Sequence, residues 1–325
     1  MTSMNVGILG AGGIACEMAK TICRMEGTEL YAVASRSLEK AEDFAGQYQI
    51  PKAYGSYEEM AEDPAVDLVY VATPHSHHYE HVKLCLEHGR NVLCEKAFMV
   101  NSIQAREMVR LAQEKGLLLA EAIWTRYMPS RTLIREAVDS GIIGEVTSLT
   151  ANLGYVVKHK ERLIRSSLGG GALLDLGVYP VNFALMVFGD DYEEVSADAV
   201  LSEEGVDLQN SITLKWKDGK MAVLHSNMQV LTDRRGVIYG DKGYIVVENI
   251  NNCQSICAYD LDRKLLKEYE IPKQITGYEY EVEACKRAIE EGAAECKEMP
   301  HIHSVAVMEL LDKVRRIVGI TYACE

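Results

Sequence analysis

The sequence predicts an α/β fold for the first part of the chain and an α+β fold with an open, mostly antiparallel sheet for the rest. A glycine-rich turn follows a short apolar run near the start of the chain. Apolar runs and helical patterns then alternate as far as residue 122, which indicates βαβ units and a parallel sheet. Closely spaced strand-like runs replace this alternation later in the chain, so we expect one domain at 1–122 and a second at 123–325.

The strands of the first domain are predicted from short apolar runs bounded by polar or turn residues. They lie at 4–9, 29–34, 66–72, 91–95 and 117–121. Helical patterns fill the intervals, at about 13–25, 37–48, 56–62, 77–88 and 102–115. Ser102 is expected to cap the last of these helices and Gly116 to end it.

The second domain begins with two helical patterns, near 129–140 and from the glycines 169–171 to about 188. Strand-like runs follow at 193–202, 209–217, 219–229, 234–240, 243–249 and 254–260. The dipeptide Asp218-Gly219 predicts a hairpin turn between two of them. Two helices, about 278–291 and 302–318, are expected to close the chain.

Composition limits the classes of function. The 325 residues are 48% hydrophobic and 25% charged, as in a soluble globular protein large enough for two domains. A net charge of −14 disfavours nucleic acid and anionic membranes as partners, because both require basic surface. We see no run of about 18 apolar residues and therefore expect no membrane span.

The cysteines and the N-terminus indicate the compartment. Only a few residues precede the first predicted strand, so we expect no secretory leader. The nine cysteines are odd in number and lack framework spacing, which predicts reduced thiols in the cytoplasm. Cys253 and Cys257 have no second pair nearby, so we expect no metal site there.

The turn after the first strand has the pattern G-x-G-x-x-A. Between a strand and a helix, this pattern predicts a diphosphate cradle and hence a Rossmann dinucleotide-binding domain. The helix N-terminus offers N–H groups and a partial positive charge to an anion. The expected cofactor-binding residues of the turn are Gly10, Ala11, Gly12, Gly13 and Ile14. A glycine-rich turn without a ligand is the alternative.

The end of the second strand predicts which dinucleotide binds. An acidic residue there would bind the ribose 2′-hydroxyl, whereas an arginine accommodates a 2′-phosphate. The sequence has Ser35 and Arg36 at this place, with Lys40 one turn into the next helix. These residues indicate NADP rather than NAD as the cofactor. A helix cap beside a solvated arginine is the alternative interpretation.

Further motifs are spread along the chain. They are Val71-Ala72-Thr73-Pro74 with His78, Cys94-Glu95-Lys96, and the run GGGALLDLG at 169–177. Together with the glycine-rich turn they resemble the Gfo/Idh/MocA oxidoreductase family over essentially the whole chain. The segment EAIWTRYMP at 121–129 and Tyr179 look most like the dimeric dihydrodiol dehydrogenase and NADP-dependent D-xylose dehydrogenase branch.

The resemblance implies a nicotinamide bound between the two domains and a second-domain sheet whose open face often forms a dimer. It implies that Lys96 touches both cofactor and substrate, and that Asp175 and Tyr179 face it as catalytic and substrate-binding residues. The other cofactor contacts that it implies are Thr73, Pro74, His75, His78 and Glu95. We expect a homodimer or a dimer of dimers.

Two positions depart from the family pattern. Ala97 replaces the proline that follows the family lysine. Either the bond between Lys96 and Ala97 is trans and the lysine is re-aimed, or the site imposes the less favourable cis form. Tyr179 and Asn182 stand where many members have His and Asp, which removes an imidazole acid or base.

Trp124 and Arg126 lie just past the last predicted strand of the first domain. A tryptophan face suits stacking on a nicotinamide or sugar ring, and the arginine could hold cofactor or substrate. Domain packing is the alternative for the tryptophan. His77 and His81 have helical metal-ligand spacing, but we favour a site without a metal.

Oxidation of an alcohol needs a hydride acceptor, which is the cofactor, and a group that takes the hydroxyl proton. Tyr179 is the expected acid or base, because a nearby Lys96 ammonium would lower the pKa of its phenol. Lys96 could itself take the proton. Asp175, four residues before the tyrosine on a predicted helix, would orient the lysine or a substrate hydroxyl.

The sequence therefore predicts an NADP-dependent dehydrogenase or reductase that acts on a sugar (an aldose) or a small cyclic vicinal diol. Two alternatives remain. A dinucleotide-binding regulatory protein would not need Lys96, Asp175 and Tyr179 together. A sugar–sugar oxidoreductase would hold its cofactor tightly.

Overall fold

A parallel sheet of six strands forms the centre of the first of two compact units in the computed structural model, which describes residues 3–325. The strands are β1 Met4–Leu9, β2 Thr28–Ala34, β3 Lys52–Tyr54, β4 Leu68–Val71, β5 Asn91–Glu95 and β6 Leu119–Ala122. They are ordered β3-β2-β1-β4-β5-β6, and every adjacent pair is parallel. This is the strand order of a Rossmann fold, and it confirms the predicted fold class of the first domain.

Helices connect these strands, as the alternating pattern predicts. They are α1 Gly13–Ile22, α2 Leu38–Tyr48, α3 Tyr57–Glu62, α4 His78–Glu87 and α5 Ser102–Lys115. Every residue of β4 and β6 is buried, as expected for a parallel sheet covered on both faces. Asn101, not Ser102, caps α5, because its side-chain oxygen accepts the N–H of Gln104 at 2.9 Å. Gly116 ends α5 in the left-handed conformation, as predicted.

The second unit is built on a sheet of eight strands. The strands are β7 Val146–Gly154, β8 Glu194–Leu201, β9 Asp207–Lys215, β10 Met221–Asn227, β11 Gly236–Gly240, β12 Gly243–Glu248, β13 Ser255–Asp260 and β14 Leu265–Tyr269. Their order is β14-β13-β12-β11-β7-β10-β9-β8, with β7 and β10 parallel and the other pairs antiparallel. The predicted open, mostly antiparallel sheet is therefore confirmed. The turn at Asp218-Gly219 joins β9 to β10, also as predicted.

Helices α6 Pro129–Asp139, α7 Glu161–Ile164 and α8 Val178–Phe188 belong to the same unit. A π-helical turn, Leu173–Gly177, leads directly into α8, and both pack against β7 and β10. The stretch Ser166–Phe188 is long and apolar enough to cross a membrane, contrary to our expectation that no such run exists. However, 83% of its most apolar window is buried, as in the core helix of a globular unit.

Sequence reasoning missed four short or polar elements, β3, β7, α7 and β14. The two closing helices are α9 Glu279–Glu291 and α10 His301–Val318, close to their predicted positions. Residues 274–305 belong to the first unit, where the Leu119 N–H donates to Ala294 O at 3.0 Å and His301 Nε2 lies 2.8 Å from Leu119 O. The second unit comprises 125–273 and 306–325. The predicted boundary after residue 122 placed 274–305 in the second domain, whereas in the structure this segment belongs to the first unit.

Candidate active site

The predicted cofactor-binding residues of the first unit follow the carboxyl ends of four neighbouring strands. The glycine-rich turn follows β1, Ser35 and Arg36 follow β2, and the Thr73–His75 loop follows β4. Glu95 ends β5, and Lys96 comes directly after it. The connections reverse direction between β1 and β4, and ligands of such sheets bind outside the strand ends at this switch point. The fold therefore gathers these segments at one edge of one sheet.

The glycine-rich turn fits an anionic diphosphate. Gly10 has φ +103°, and a Cβ there would lie 3.1 Å from the side chain of Thr73 and 3.2 Å from the carbonyl of Ala72. Gly12 and Gly13, at the start of α1, would place a Cβ in open space, with nothing within 4 Å. The first turn of α1 contains no acidic residue. The helix N-terminus is therefore open and free of negative charge, as a phosphate requires.

The end of β2 presents a cation and no carboxylate. Ser35 is buried, and its N–H donates to the Tyr54 carbonyl at 3.1 Å. Arg36 is exposed. Ser37 caps α2 by accepting the Lys40 N–H at 3.5 Å, so the capping interpretation holds for the serine and leaves the arginine side chain at the surface.

Sequence reasoning paired His77 with His81 but missed Tyr57, which joins them in a ring cluster close to Arg36. The Tyr57 ring packs edge-on against His81, with centroids 4.6 Å apart, and His81 stacks on His77 at 5.7 Å. Burial raises the pKa of Tyr57, and the Arg36 charge opposes this shift. The approach of α3 to α4 creates this cluster, and no local motif encodes it.

The Lys96 backbone is anchored by a buried hydrogen-bonded pair. The Lys96 N–H donates to Glu95 Oε2 at 3.2 Å, and the Tyr70 hydroxyl donates to Glu95 Oε1. Burial, followed by the charge of Glu95, raises the pKa of Tyr70 well above its usual value, so the phenol stays protonated as a donor. The peptide bond between Lys96 and Ala97 is cis, which selects the second of the two alternatives that the missing proline left open.

The histidines after β4 are mostly buried. His75 is 5% exposed and packs edge-on against His78, with ring centroids 5.6 Å apart. His78 is completely buried and its ring nitrogens face backbone carbonyls, a placement that differs from the expected direct contact with a cofactor. His81 Nδ1 lies 3.0 Å from Thr73 Oγ1. Burial lowers the pKa of His81 to about 3, so its imidazole is neutral at physiological pH.

Trp124 stacks on Tyr278, a residue of the segment that returns to the first unit. The ring centroids are 4.1 Å apart and the planes differ by 11°. Only 6% of the tryptophan surface is exposed. One face of the indole is therefore covered by protein, in line with the packing alternative, and any stacking on a ligand would have to use the opposite face.

The predicted catalytic residues of the second unit lie on the π-helical turn and the helix that follows it. Asp175 is in the turn, and Tyr179 is in the first turn of α8; both are buried. Arg162 donates from both terminal nitrogens to Asp175 Oδ1, each at 3.1 Å. Single π-helical turns inside helices occur frequently at functional sites, and this one carries two of the predicted catalytic residues.

Arg126 is buried within the second unit. Its Nε donates to Asn182 Oδ1 at 2.7 Å, and the Asn182 amide donates to the Val178 carbonyl at 2.8 Å. Asn182 therefore connects Arg126 to α8. The expected contact of Arg126 with cofactor or substrate stays a prediction. Within residues 3–325, no group of three or more His, Cys, Asp or Glu side chains is arranged to hold a metal ion.

Two family models match the chain. One, described as the oxidoreductase family with an NAD-binding Rossmann fold, matches residues 4–122. The other, the GFO/IDH/MocA C-terminal domain, matches residues 132–246. Among curated proteins, the trans-1,2-dihydrobenzene-1,2-diol dehydrogenase of Xenopus tropicalis is 35% identical, over 97% of this chain and 98% of the relative. The human protein of the same name is 33% identical, over 97% of both chains.

Solved structures share the fold. KijD10, a 3-ketoreductase from Actinomadura kijaniata in complex with NADP and TDP-benzene, has a TM-score of 0.90 at 25% identity and covers 98% of each chain. Variants of KijD10 with one lysine changed to alanine, or one tyrosine to phenylalanine, have also been solved. An aldose-aldose oxidoreductase from Caulobacter crescentus, complexed with glycerol, has a TM-score of 0.88 at 22% identity and covers 98% of each chain. That last likeness concerns the fold alone.

Proposed function

The chain belongs to the Gfo/Idh/MocA oxidoreductase family, and from that membership we propose that it transfers a hydride between NADP and a sugar (an aldose) or a small cyclic vicinal diol. The chain is an NAD(P)-dependent oxidoreductase. The choice of substrate class rests on the dihydrodiol dehydrogenases that are 33–35% identical over nearly the whole chain.

One observation carries the proposal. Lys96 follows the carboxyl end of β5, at the same sheet edge as the open glycine-rich turn, and its backbone is fixed by Glu95. A dinucleotide bound across this edge would place its reactive ring near the lysine if it follows the usual rule for such sheets. An amine held at this position could contact both a cofactor and a substrate hydroxyl.

We propose NADP as the cofactor because β2 ends without a carboxylate and with the exposed Arg36. A guanidinium can form bidentate hydrogen bonds to a phosphate, and Lys40 adds a second cation one turn into α2. KijD10 was solved with NADP, which supports the same choice. Thr73, Pro74, His75 and Glu95 remain proposed contacts along the strand ends.

When bound, the dinucleotide would supply the hydride acceptor or donor. The remaining task of the protein is to move a proton and hold the substrate oxygen. We propose that Tyr179 and Lys96 share this task, the phenol exchanging the proton with the substrate oxygen while the lysine charge favours the phenolate. Asp175, held by Arg162, would orient a substrate hydroxyl.

The proposal is tested with a panel of aldoses and cyclic vicinal diols, scored by the absorbance of NADPH. We expect turnover of at least one compound, with kcat/KM for NADP at least about tenfold above that for NAD, a difference of about 1.4 kcal/mol. A clear preference for NAD would overturn the cofactor assignment. NADPH binding without turnover of any compound would favour the regulatory alternative, and NADP that co-purifies without exchanging would favour a sugar–sugar oxidoreductase.

We further propose that the open face of the eight-stranded sheet joins two copies of the chain. Strand register aligns Met221, Ser148, Tyr239, Tyr244 and Tyr259 in one row across five strands. Val223, Thr150, Val237, Val246 and Cys257 form the adjacent row. Val223 is 49% exposed and Tyr239 38%, so these rows present apolar surface to solvent.

The nine free thiols are the basis for proposing a cytoplasmic location.

A further inference from the structure

His78 lies beneath the loops that follow β4 and β5. Its Nδ1 is 2.9 Å from Ala97 O and 3.2 Å from Phe98 O, and its Nε2 is 2.9 Å from Thr73 O. The side chain has no exposed surface. One ring therefore spans two backbone segments, of which one carries proposed cofactor contacts and the other directly follows Lys96.

The backbone on each side of Lys96 has a buried side chain as a partner. On the N-terminal side, its N–H donates to Glu95, which also accepts from the Tyr70 hydroxyl. On the C-terminal side, the next residue is Ala97, whose carbonyl oxygen faces the His78 ring. The lysine backbone is thus held between a buried carboxylate and a buried imidazole.

The chemistry of the ring makes these contacts informative. Carbonyl oxygens only accept hydrogen bonds, whereas a neutral imidazole has a single N–H. Burial lowers the pKa of His78 to about 4, and the carbonyls of Thr73, Ala97 and Phe98 oppose this shift. A neutral ring can therefore donate to one loop at a time, and its tautomer decides which loop it holds.

We propose that His78 is a positioning residue for Lys96, because the tautomer with its N–H on Nδ1 donates to the Ala97 carbonyl and so fixes the backbone that presents the amine. This inference rests on the proposed function. It assigns His78 no contact with the cofactor or substrate. A histidine that merely fills the core would leave the lysine in place when replaced by another ring of similar size.

The first test replaces His78 with phenylalanine, which keeps an aromatic ring, although a slightly larger one, and removes both nitrogens. We expect kcat to fall by about 10–100-fold, because displacement of a reacting group by about 1 Å can cost 10²-fold. The affinity for NADPH, measured by fluorescence titration, should change little. The matched control is His88→Phe, near the end of the same helix, where Nδ1 also faces a backbone carbonyl, that of Leu84 at 2.9 Å. This control should retain wild-type kcat.

A double-mutant cycle separates positioning from general stability. If His78 acts through Lys96, then His78→Phe should add no further loss of kcat in a Lys96→Ala background. Full additivity of the two losses would overturn the inference. His78→Gln retains an N–H donor and should recover part of the activity lost in the phenylalanine variant; it also serves if that variant does not fold.

Hydrogen exchange of the ligand-free protein gives a readout that needs no activity. We expect the amides of residues 96–98 to exchange faster in His78→Phe than in the wild type, while those of β1 keep their protection. Unchanged exchange at 96–98 would overturn the inference. If the wild type is inactive but residues 96–98 exchange faster in His78→Phe, the proposed function is wrong and the positioning of the Lys96 backbone by His78 still holds.

Discussion

Glu281 is enclosed in the first unit with no exposed surface. Neither of its carboxylate oxygens has a hydrogen-bond partner within residues 3–325. Burial, followed by the nearby charge of Glu95, raises the pKa of Glu281 well above its usual value. The folded protein therefore holds a proton that the unfolded chain releases at lower pH. The burial of Glu281 could not be predicted from the sequence, because an acidic residue in an amphipathic helix normally faces solvent.

The Glu281→Gln variant tests this protonation. A group whose folded pKa is raised contributes its full stability below the unfolded pKa and loses it as pH rises toward the folded pKa. We expect the free energy of unfolding of the variant, relative to wild type, to increase between pH 5 and pH 7 by roughly 1–2 kcal/mol per pH unit. Urea denaturation at several pH values measures this, with the exposed Glu283→Gln as control. A constant difference would contradict it.

We propose that Arg36 determines the choice between NADP and NAD. In Arg36→Asp, a carboxylate would repel a 2′-phosphate and accept a hydrogen bond from a 2′-hydroxyl. We expect the ratio of kcat/KM for NADP to that for NAD to fall by at least about tenfold, or about 1.4 kcal/mol. Arg110→Asp, at an exposed position on α5, controls for the change in net charge. An unchanged ratio would show that Arg36 does not contact the phosphate.

Local motifs predicted those site residues whose role depends only on the residues next to them in the chain. The glycine-rich turn and the position of Lys96 after β5 are of this kind. The contacts of Trp124 with Tyr278, of His78 with Ala97, and of Arg126 with Asn182 join residues far apart in the chain. Residue type alone left their roles open, since each of these side chains suits packing as well as binding.

At the scale of elements, the π-helical turn depends on a glycine. Gly171, just before the turn, has φ +110°, and a Cβ there would lie 2.3 Å from Asp207 Oδ1. We expect Gly171→Ala to lower the free energy of unfolding by about 2–4 kcal/mol through clash and backbone strain. It should also lower kcat, because Asp175 and Tyr179 follow directly.

Urea denaturation and steady-state kinetics measure these two effects. The matched control is Gly205→Ala, whose φ is +77° and whose Cβ would meet nothing within 4 Å. It carries only the conformational cost of an alanine at positive φ, about 1–2 kcal/mol. Equal destabilisation by both substitutions would show that the approach of Asp207 to Gly171 has no energetic consequence.

Elements with strong apolar patterns were predictable and polar ones were not. Strand β7 buries Leu149, Ala151 and Leu153, but polar residues alternate with them, so the run is not continuously apolar. Its alternation is the signal that could have found it. The helix after the glycines was predicted, but whether a turn is π-helical depends on packing against β7 and β10, which sequence periodicity does not report.

At the scale of the whole molecule, the sequence predicted both sheets but not the return of 274–305 to the first unit. Thr276 Oγ1 lies 2.7 Å from Thr21 Oγ1, and Lys286 donates to the Gly27 carbonyl at 2.6 Å. Such contacts between polar groups distant in the chain have no periodic signature. A boundary drawn from sequence patterns assigns each segment to the same domain as the residues just before it. The return of 274–305 to the first unit could therefore not be predicted.

The proposed dimer gives a prediction at the same scale. Val223→Glu places a charge at the β10 end of the exposed apolar rows of the eight-stranded sheet. We expect the molar mass measured by light scattering to fall to that of a single chain, because an unpaired charge buried in an interface is costly. Ile103→Glu, at a 73% exposed position on α5, should leave the mass unchanged. A dimer that survives Val223→Glu would place the interface elsewhere.

We propose that the Lys96 amine and the Tyr179 phenol act on the same substrate oxygen. The most direct measurement is kcat of Tyr179→Phe and Lys96→Ala with a substrate found in the panel, alongside NADPH affinity and thermal unfolding. We expect a loss of about 10²–10⁴-fold in kcat for each variant, the range of general acid–base catalysis, with folding and NADPH binding of the tyrosine variant retained. Near wild-type kcat in either folded variant would contradict it.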